Sequence, residues 1–463
     1  MKLSLSWIRD YVKIPEDIDL KKLAYDLTMS TVEVEDVEDL ARRFDNMVVG
    51  VIEKIEPHPN ADKLRVCSVD IGDGELKTIV CGGINLTEGM RVAVSCPGAV
   101  VRWHGEGEPV VIKNSKLRGV ASYGMICASD EIGLGDLFPA SQEAEILDLS
   151  AFEVPAGTSL ADALDMNDVL LEIDNKSMTN RPDLWGHYGI ARELAALYNL
   201  PLAEIKPFHT DVQSDFHVEI AEPDRCRRYI GVEMSGLEVK PSPYWMQSRI
   251  WKVGMRPINA LVDITNYVML ATGNPTHAFD ADNITDHIVV RHAEEGEKLV
   301  LLNEKELDLC TDDLVITDSE GPVALAGVMG GAKDSILPDT KRVILEVANF
   351  EAAGIRRTAL RYDTRTEASA RYEKAIDPER CDQALALSMQ YFQELYPGVQ
   401  VTGYCDNYVN KLERAQIDVD LGWLAKRLGK NLSNDVIQAK LELLGFDVQI
   451  EGGNMHVTAP SWR

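Results

Sequence analysis

The chain has 463 residues, a length typical of about three domains, and its formal net charge is −28 at pH 7. This acidity argues against nucleic-acid binding by the surface as a whole, because phosphate contacts need lysine and arginine, but it permits a local basic patch. No run approaches the ~18 apolar residues that a membrane span needs. Arg9 and Asp10 occupy the place of a signal peptide's apolar core, so we expect a cytoplasmic protein.

The eight cysteines do not form a recognisable metal site. None belongs to a C-x2-C pair, and none stands with histidines at the spacing of a zinc site. We expect reduced, mostly buried thiols and no metal site within this chain.

Residues 1–40 predict a small α+β segment. A leucine repeat typical of a helix precedes a valine alternation typical of a strand: Leu20, Leu23 and Leu27, then Val32, Val34 and Val37. The segment has too few apolar residues to fold alone, so it needs another part of the chain.

Residues 47–149 predict a small β-barrel, because five short apolar runs alternate with turn signals. The runs are MVVGVIEKI, LRVCSVDIG, LKTIVCG, RVAVSC and PVVIKNSKL. A basic cluster, Lys113, Lys116 and Arg118, is free of acidic residues over ten positions. The cluster could follow an RNA backbone, or it could protect an exposed strand edge.

Residues 150–205 predict a helix start at Asn180-Arg181-Pro182-Asp183. Proline stands in the first turn, and the acid lies near the positive end of the helix dipole. Asn180, Arg181 and His187 could contact a ligand, but we expect capping and internal hydrogen bonds instead.

Residues 256–280 combine an apolar helical repeat with polar residues that are costly to bury: Asn259, Asp263, Thr265 and Asn266. A buried polar group without a partner costs about 1–3 kcal/mol. These groups must therefore satisfy one another or a ligand, and the sequence leaves both explanations open. The stretch ends in a turn that would present the His277 imidazole at a rim.

Two later stretches contain residues that are unusual in their local pattern: glycines that follow a strand, and a carboxylate within an apolar strand. Residues 323–331, VALAGVMGG, run from a strand into three glycines but fit neither a P-loop nor a G-x-G-x-x-G motif. Two explanations for these glycines remain: a close approach of the backbone to a ligand, or a β-bulge. Glu346 lies in an apolar strand pattern, VILEVANF, where a carboxylate is costly without a partner. Residues 413–463 then predict a strand, two helices and a hairpin.

The motifs of the central region resemble one known family. VDITNYVM, GNPTHAFD, AGVMGG, LEVANF and RTEASAR are similar, almost position for position, to the editing module of the bacterial phenylalanyl-tRNA synthetase beta subunit. HPNADKLRVCSVDIG, VCGGINL and IKNSKLRGVASYGMICASDEIGL resemble the tRNA-binding OB domain attached to several synthetases. The resemblance covers the whole chain and corresponds to the N-terminal part of the subunit.

The resemblance implies an α+β multidomain fold. An OB-fold β-barrel (41–149) would be inserted in a small α+β domain made of 1–40 and 150–205. An α+β editing module of the B3/B4 type (206–405) would follow, and a small winged-helix-like α+β module (406–463) would end the chain.

The resemblance also implies a function. In the family, the alpha subunit aminoacylates the tRNA, and the beta subunit helps to hold tRNA(Phe) and hydrolyses mischarged Tyr-tRNA(Phe), within a heterotetramer. Lys113, Lys116 and Arg118 are then the expected tRNA contacts, with no DNA or membrane partner. Two alternatives remain: a free-standing editing hydrolase, and a non-catalytic tRNA-binding scaffold.

Glu346 matches the family's discriminating carboxylate. Gly327 and Gly330 would let backbone line the pocket, and Ala368 would leave room for the substrate ring. Four residues would surround the scissile ester: Thr265, Asn266, His277 and Thr366. No nucleophile with an adjacent base is recognisable, so we expect attack by water, with His277 orienting that water or the terminal ribose.

Magnesium and ATP serve the full complex in the family, and editing needs neither. The family's magnesium ligands lie in an acidic segment that would follow Arg463. The resemblance therefore implies that this chain is a fragment that folds and could retain editing, but does not support aminoacylation.

Overall fold

The first α+β unit begins with a short strand and two helices, and residues far along the chain complete its sheet. The structure, a computed structural model, describes residues 1–463. Its first elements are β1 (Lys2–Ser4), α1 (Leu5–Tyr11), α2 (Leu20–Ser30) and β2 (Val34–Asp39). Both helices begin at a capping side chain, because Ser4 and Asp19 accept hydrogen bonds from first-turn amides.

The next segment forms a nearly closed, OB-like barrel. Its strands are β3 (Met47–Pro57), β4 (Arg65–Asp70), β5 (Leu76–Cys81), β6 (Arg91–Ser95), β7 (Val100–Val101), β8 (Val110–Val111), β9 (Ser115–Leu117), β10 (Val120–Ser122) and β11 (Met125–Ile126). Five of them form one antiparallel sheet in the order β11-β6-β3-β4-β5. Next to β10, the Tyr123 amide donates to the Thr78 carbonyl of β5 at 2.9 Å, which brings the two ends of the sheet together.

The predicted fifth strand of the barrel, PVVIKNSKL, was wrong. This run is divided between β8 and β9, which lie in separate two-stranded sheets with β7 and β10. Each part pairs with a strand close to it in the chain, β8 with β7 and β9 with β10. All three residues of β9 are exposed, whereas Ile112, between β8 and β9, is buried in the apolar cluster of the barrel. The fifth strand is the two-residue β11 instead.

The chain then returns to its first unit. The elements that follow are α3 (Leu160–Ala163), β12 (Val169–Ile173) and α4 (His187–Tyr198). β12 lies between β1 and β2 in an antiparallel sheet, with Leu171 paired to Leu3 on one side and to Val37 on the other. The barrel is therefore inserted between β2 and β12, and the returning chain supplies the core that residues 1–40 lack.

Arg181 and His187 are hydrogen-bonded within the protein, whereas Asn180 is exposed. Pro182 begins a short 3-10 helix before α4, and Arg181 donates two hydrogen bonds, of 2.8 and 2.7 Å, to the buried Asp183. The Ser4 amide donates to Nε2 of His187 at 3.1 Å, and Nδ1 lies 2.8 Å from the Leu270 carbonyl. Short 3-10 helices lie at Leu40–Phe44, Trp103–Gly105, Asp130–Ile132, Pro182–Leu184 and Ala281–Asn283.

The central region packs two sheets and several helices together. Its strands are β13 (Val218–Ile220), β14 (Cys226–Ser235), β15 (Thr276–Asp280), β16 (Ile288–His292), β17 (Lys298–Val300), β18 (Glu306–Asp308), β19 (Leu314–Asp318), β20 (Gly321–Leu325), β21 (Met329–Gly330), β22 (Val343–Phe350) and β23 (Gln400–Tyr408). Its helices are α5 (Tyr244–Lys252), α6 (Ala260–Thr272), α7 (Ala352–Arg361), α8 (Glu367–Tyr372) and α9 (Arg380–Leu395). The sheet orders are β13-β16-β19-β20-β21 and β15-β22-β14-β23, and β17 pairs with β18.

β22 is an interior strand whose eight residues are all buried. Leu345 and Val347 face a first apolar cluster, which includes residues of α6 and α9. Ile344 and Ala348 face a second apolar cluster, which includes residues of the five-stranded sheet. Because side chains alternate along a strand, Glu346 projects toward the second cluster.

The last unit is a small α+β module. It contains β24 (Gln416–Asp420), α10 (Leu421–Leu428), α11 (Asn434–Leu443), β25 (Asp447–Glu451) and β26 (Asn454–Thr458), in the sheet order β24-β26-β25. The module contacts the first unit: Lys440 donates to the Ala196 carbonyl at 2.6 Å, and Arg463 pairs with Glu193 at 2.8 Å. The predicted order of strand, two helices and hairpin is confirmed.

Candidate active site

The candidate site begins with two polar side chains on the four-stranded sheet. β15 and β22 are antiparallel neighbours, and His277 lies directly opposite Glu346. Residues in this relation have Cβ atoms about 4.5–5.5 Å apart and project from the same face. Strand pairing thus places an imidazole beside a carboxylate that is distant in sequence.

Glu346 is a buried carboxylate with one polar partner. The residue is only 4% exposed. The Tyr229 hydroxyl donates to Oε2 at 3.0 Å, and no protein donor reaches Oε1. Burial raises the pKa of Glu346 to about 7, and the hydrogen bond from Tyr229 opposes that rise. Near neutral pH the carboxyl is therefore close to its titration midpoint.

The His277 imidazole is neutral at physiological pH. Burial lowers its pKa to about 4, because desolvation disfavours the imidazolium. The ring meets Phe279 edge-on, with centroids 4.6 Å apart. Its nitrogens have no hydrogen-bond partner in the protein, so one can donate and the other accept toward a ligand or water.

The glycine-rich segment passes close to this ring. A Cβ on Gly330 would lie 2.7 Å from Cε1 and Nε2 of His277, so a larger residue would displace the imidazole. Gly327 has φ +66°, in the left-handed region that favours glycine, and its Cβ would meet Ile355 at 2.9 Å. Both glycines are thus required by neighbouring protein atoms.

A cavity of about 60 Å³ lies between the glycine segment, β15, β22 and α8. Its wall includes five of the residues predicted for the pocket: His277, Gly327, Gly330, Glu346 and Ala368. Ala368 contributes only a methyl group, which leaves that side of the cavity open. The structure therefore gathers these five residues around one space.

Thr265, Asn266 and Thr366 do not line this cavity. The Thr265 hydroxyl donates to the Val262 carbonyl at 2.7 Å, within α6. The Thr366 hydroxyl donates to the Val328 carbonyl at 2.8 Å and caps α8, so it ties the glycine segment to that helix. Asn266 is partly exposed on α6. A catalytic role for these three residues stays a prediction.

The other polar residues of the α6 region are satisfied within the protein. Asn259 caps α6 by accepting from the Val262 amide at 3.1 Å. Asp263 accepts from the Ile258 amide at 2.8 Å and from the Ser242 hydroxyl. Of the two explanations open for these residues, internal hydrogen bonding is the one that applies to Asn259 and Asp263.

The basic cluster lies on an exposed hairpin of the barrel. Lys116 belongs to β9, Arg118 lies in the turn before β10, and Lys113 shortly precedes β9. The three side chains are exposed and form no ion pair. The turn is held by Asn60, whose side-chain amide donates to the Arg118 carbonyl at 3.0 Å. The backbone of this turn is therefore held in place, while the charged groups of the three side chains have no acidic partner.

No group of three or more histidine, cysteine, aspartate or glutamate side chains is arranged to hold a metal ion. None of the helices combines the length and apolarity needed to cross a bilayer. The eight cysteines are free thiols, and five of them are buried.

Comparisons with known proteins match both the barrel and the cavity region. Residues 47–158 match the putative tRNA binding domain, and residues 225–397 match the B3/4 domain. Phenylalanine–tRNA ligase beta subunits from Halalkalibacterium halodurans and Latilactobacillus sakei are each 37% identical to the chain over its whole length. Over its whole length the chain is therefore similar to phenylalanine–tRNA ligase beta subunits. The resemblance and the α+β fold class predicted from the sequence are thereby confirmed.

The chain spans 57% of the length of these two beta subunits. A third, from Thermosynechococcus vestitus, is 40% identical over 410 residues, which cover 86% of this chain and 48% of the relative. A solved N-terminal fragment of the phenylalanyl-tRNA synthetase beta subunit from Pyrococcus horikoshii shares 18% identity, at a TM-score of 0.35, over 64% of this chain and 83% of the fragment. That structural similarity is too weak to carry an argument.

The motifs shared with beta subunits did not point to two tyrosines that complete the site. Tyr229 on β14 bonds Glu346, and Tyr372 on α8 lines the cavity while its hydroxyl donates to the Ala348 carbonyl at 3.1 Å. Tyr372 directly follows the motif RTEASAR, which was a usable signal. Tyr229 belongs to no recognised motif, and only strand register places it beside Glu346.

Proposed function

We propose that this chain is the part of a phenylalanine–tRNA ligase beta subunit that binds tRNA(Phe) and hydrolyses tyrosine attached to it in error. The observation that carries the proposal is one free oxygen, Oε1 of Glu346, on a buried carboxylate in the cavity wall. A phenol hydroxyl is the group that separates tyrosine from phenylalanine. A buried acceptor without a protein partner is suited to recognise it.

The limits of apolar pockets explain why such an acceptor is needed. A hydrophobic pocket rejects a substrate that merely adds a hydroxyl by only about a hundredfold. A site that hydrogen-bonds the hydroxyl rejects the analogue lacking it by roughly 10⁴ or more, because the polar group of the site is then left unpaired. Oε1 of Glu346 meets this condition, since the one hydrogen bond that the protein makes to this carboxylate goes to Oε2.

The charge of Glu346 should tune this recognition. A carboxylate accepts a hydroxyl hydrogen bond more strongly than a neutral carboxyl does. Because burial raises the pKa to about 7, the preference for tyrosine should strengthen as the pH rises through that value.

We assign His277 to act at the ester. A neutral imidazole can accept a hydrogen bond from water and orient it toward the ester carbonyl, or it can bind a hydroxyl of the terminal ribose. Thr276 is the threonine in the cavity wall. Its hydroxyl donates a hydrogen bond to the Thr265 carbonyl at 3.3 Å and not to a base. This arrangement favours attack by water over a covalent intermediate.

A phenol ring needs more room than the cavity offers without a ligand. An apolar cavity of about 150 Å³ accepts benzene, whereas this one measures about 60 Å³. Met329 lines the wall, and its unbranched side chain can change rotamer at low cost. We assign Met329 as the side chain that moves when a ring enters.

The barrel would supply affinity for the RNA. Lys113, Lys116 and Arg118 present unneutralised charges from one hairpin, and phosphate contacts of this kind release counterions. In the full ligase we expect the alpha subunit to carry out aminoacylation with magnesium and ATP, in a cytoplasmic heterotetramer. The residues of this chain form no metal-holding group, so no magnesium- or ATP-dependent step is assigned to them.

Deacylation of Tyr-tRNA(Phe) and Phe-tRNA(Phe) by this chain alone tests the proposal. We expect preferential hydrolysis of the tyrosyl ester and loss of that preference in Glu346→Ala. Equal hydrolysis of both esters by the unchanged chain would contradict the proposal, and tRNA binding without deacylation would indicate a scaffold. Copurification with an alpha subunit separates a ligase component from a free-standing hydrolase.

A further inference from the structure

Tyr229 is the one side chain that hydrogen-bonds Glu346. Its hydroxyl donates to Oε2 at 3.0 Å, and this is the sole hydrogen bond of both side chains. Tyr229 is fully buried in the second apolar cluster. It does not line the cavity, so it cannot touch a substrate there directly.

Strand register explains why Tyr229 is the partner. Glu346 is paired with Gly231 on β14, while Tyr229, two residues earlier, is paired with Ala348. Gly231 has no side chain to offer, so the carboxylate meets its diagonal neighbour on the same face. Turning Glu346 away from Tyr229 would leave a buried hydroxyl unpaired, which is unfavourable.

We propose that Tyr229 is a positioning residue for this cavity: its hydroxyl binds Oε2 of Glu346 and thereby presents Oε1 as the acceptor for the hydroxyl of the substrate ring. The inference rests on the proposed function, because it concerns recognition of the same tyrosyl group. It adds a residue that acts on specificity through Glu346 and that no shared motif contains.

The same hydrogen bond also affects the charge of the carboxyl. A donor to the ionised form favours that form, so Tyr229 lowers the pKa of Glu346 against the effect of burial. Removing the hydroxyl should therefore move the titration of Glu346 to higher pH. At neutral pH, more of the carboxyl would then be protonated and would bind the substrate hydroxyl less strongly.

Three variants of the chain test the inference. Tyr229→Phe removes the hydroxyl and keeps the ring, and Glu346→Gln removes the charge. Tyr396→Phe is the matched control, because its hydroxyl also comes from a buried tyrosine and donates to a protein acceptor, the Glu238 carbonyl at 3.0 Å, outside the cavity. The measurement is kcat/KM for Tyr-tRNA(Phe) and Phe-tRNA(Phe) deacylation over a pH range around neutrality, together with the Tm of each variant.

We expect Tyr229→Phe to lower kcat/KM for Tyr-tRNA(Phe) about tenfold, the effect of one hydrogen bond to a charged group, and to change Phe-tRNA(Phe) less than about twofold. The acid limb of the tyrosyl pH profile should move to higher pH. Tyr396→Phe should leave the substrate ratio and the limb unchanged, whatever it does to Tm. A merely structural role for Tyr229 would slow both substrates alike without moving the limb.

Each remaining outcome decides one question. If Glu346→Gln abolishes the preference for tyrosine while Tyr229→Phe changes neither ratio nor limb, the positioning inference is overturned alone. If Glu346→Ala, which removes the acceptor altogether, leaves the ratio intact, the proposed function is overturned. If the chain deacylates neither ester, NMR titration of the labelled Glu346 carboxyl decides the positioning role: a higher pKa in Tyr229→Phe supports it, and an unchanged pKa overturns it.

Discussion

The cavity and the basic hairpin use polar side chains in opposite ways. In the cavity, loss of water moves the pKa of Glu346 up to about 7 and that of His277 down to about 4, so burial works against charge on both. On the hairpin, Lys113, Lys116 and Arg118 keep their water and their charge. A contact with a desolvated group contributes much binding free energy, and its strength depends on pH. A contact with an exposed charge contributes little, and its strength depends on salt concentration.

This difference suggests a division of labour between the two regions. Recognition of a single hydroxyl requires a buried partner that cannot fall back on water. Attraction of a phosphate backbone requires exposed charges that act without sequence preference. Variants of the cavity should therefore change substrate preference as a function of pH, and variants of the hairpin should change tRNA affinity as a function of salt.

The largest expected effect is on stability, in Glu346→Gln. Folding raises the pKa of Glu346 from 4.5 to about 7, so its contribution to stability is full below about pH 4.5 and is lost as the pH rises through about 7. Glutamine does not titrate, so over this window the free energy of unfolding of the variant should gain on the order of 3 kcal/mol relative to the unchanged chain. Chemical denaturation at several pH values measures the gain. Glu295→Gln, at an exposed position, is the control, and a pH-independent difference for Glu346→Gln would contradict the desolvation of this carboxyl.

The next effect is on substrate preference, in Glu346→Ala. We expect the ratio of Tyr-tRNA(Phe) to Phe-tRNA(Phe) hydrolysis to fall about a hundredfold, because a hydrogen bond to a charged acceptor is lost. The ratio should not depend on salt, unlike tRNA binding. Deacylation kinetics measure the substrate ratio, and thermal melting measures the stability of the variant. A lower Tm with an unaltered ratio would make Glu346 a structural residue.

A smaller effect is expected from Gly330→Ala. The added Cβ would lie 2.7 Å from the His277 ring and must push it aside, so we expect deacylation to slow about tenfold, with the substrate ratio less affected. Gly398→Ala is the control, since its Cβ would meet no atom within 4 Å. Normal deacylation by Gly330→Ala would show that the position of the imidazole is not critical.

The smallest effect at physiological salt is expected on the hairpin. Replacing Lys113, Lys116 and Arg118 by glutamine should weaken tRNA binding only about fivefold, because exposed charge contacts contribute little each. The salt dependence should flatten by up to about three phosphate contacts. Binding measured across salt concentrations tests this, with Lys54→Gln, whose amine already pairs with Glu56 at 2.9 Å, as control. An unaltered salt slope would place the RNA on another face of the barrel.

Local patterns predicted much of the fold and part of the site. Four of the five barrel runs became strands of the barrel sheet, and the last unit has the expected order of elements. The run PVVIKNSKL misled because a strand-like pattern does not reveal which strand it pairs with, and its two parts pair with β7 and β10 outside the barrel sheet. The sequence could not show that the hydroxyls of Thr265 and Thr366 donate to backbone carbonyls, because the residues around them decide this. The domain boundaries and the catalytic assignments stay predictions.

The sequence by itself determined the resemblance to the beta subunits, the position of Glu346 within an apolar strand, and the presence of glycines beside the pocket. These features depend on residue types and on short spacings, which can be identified without knowing the fold. Only the tertiary structure decided that His277 stands opposite Glu346, that Tyr229 occupies Oε2, and that Oε1 remains free. The reason is physical: alternation along a strand defines which face a side chain takes, but the pairing of β14, β15 and β22 across long stretches of chain defines which side chains meet there.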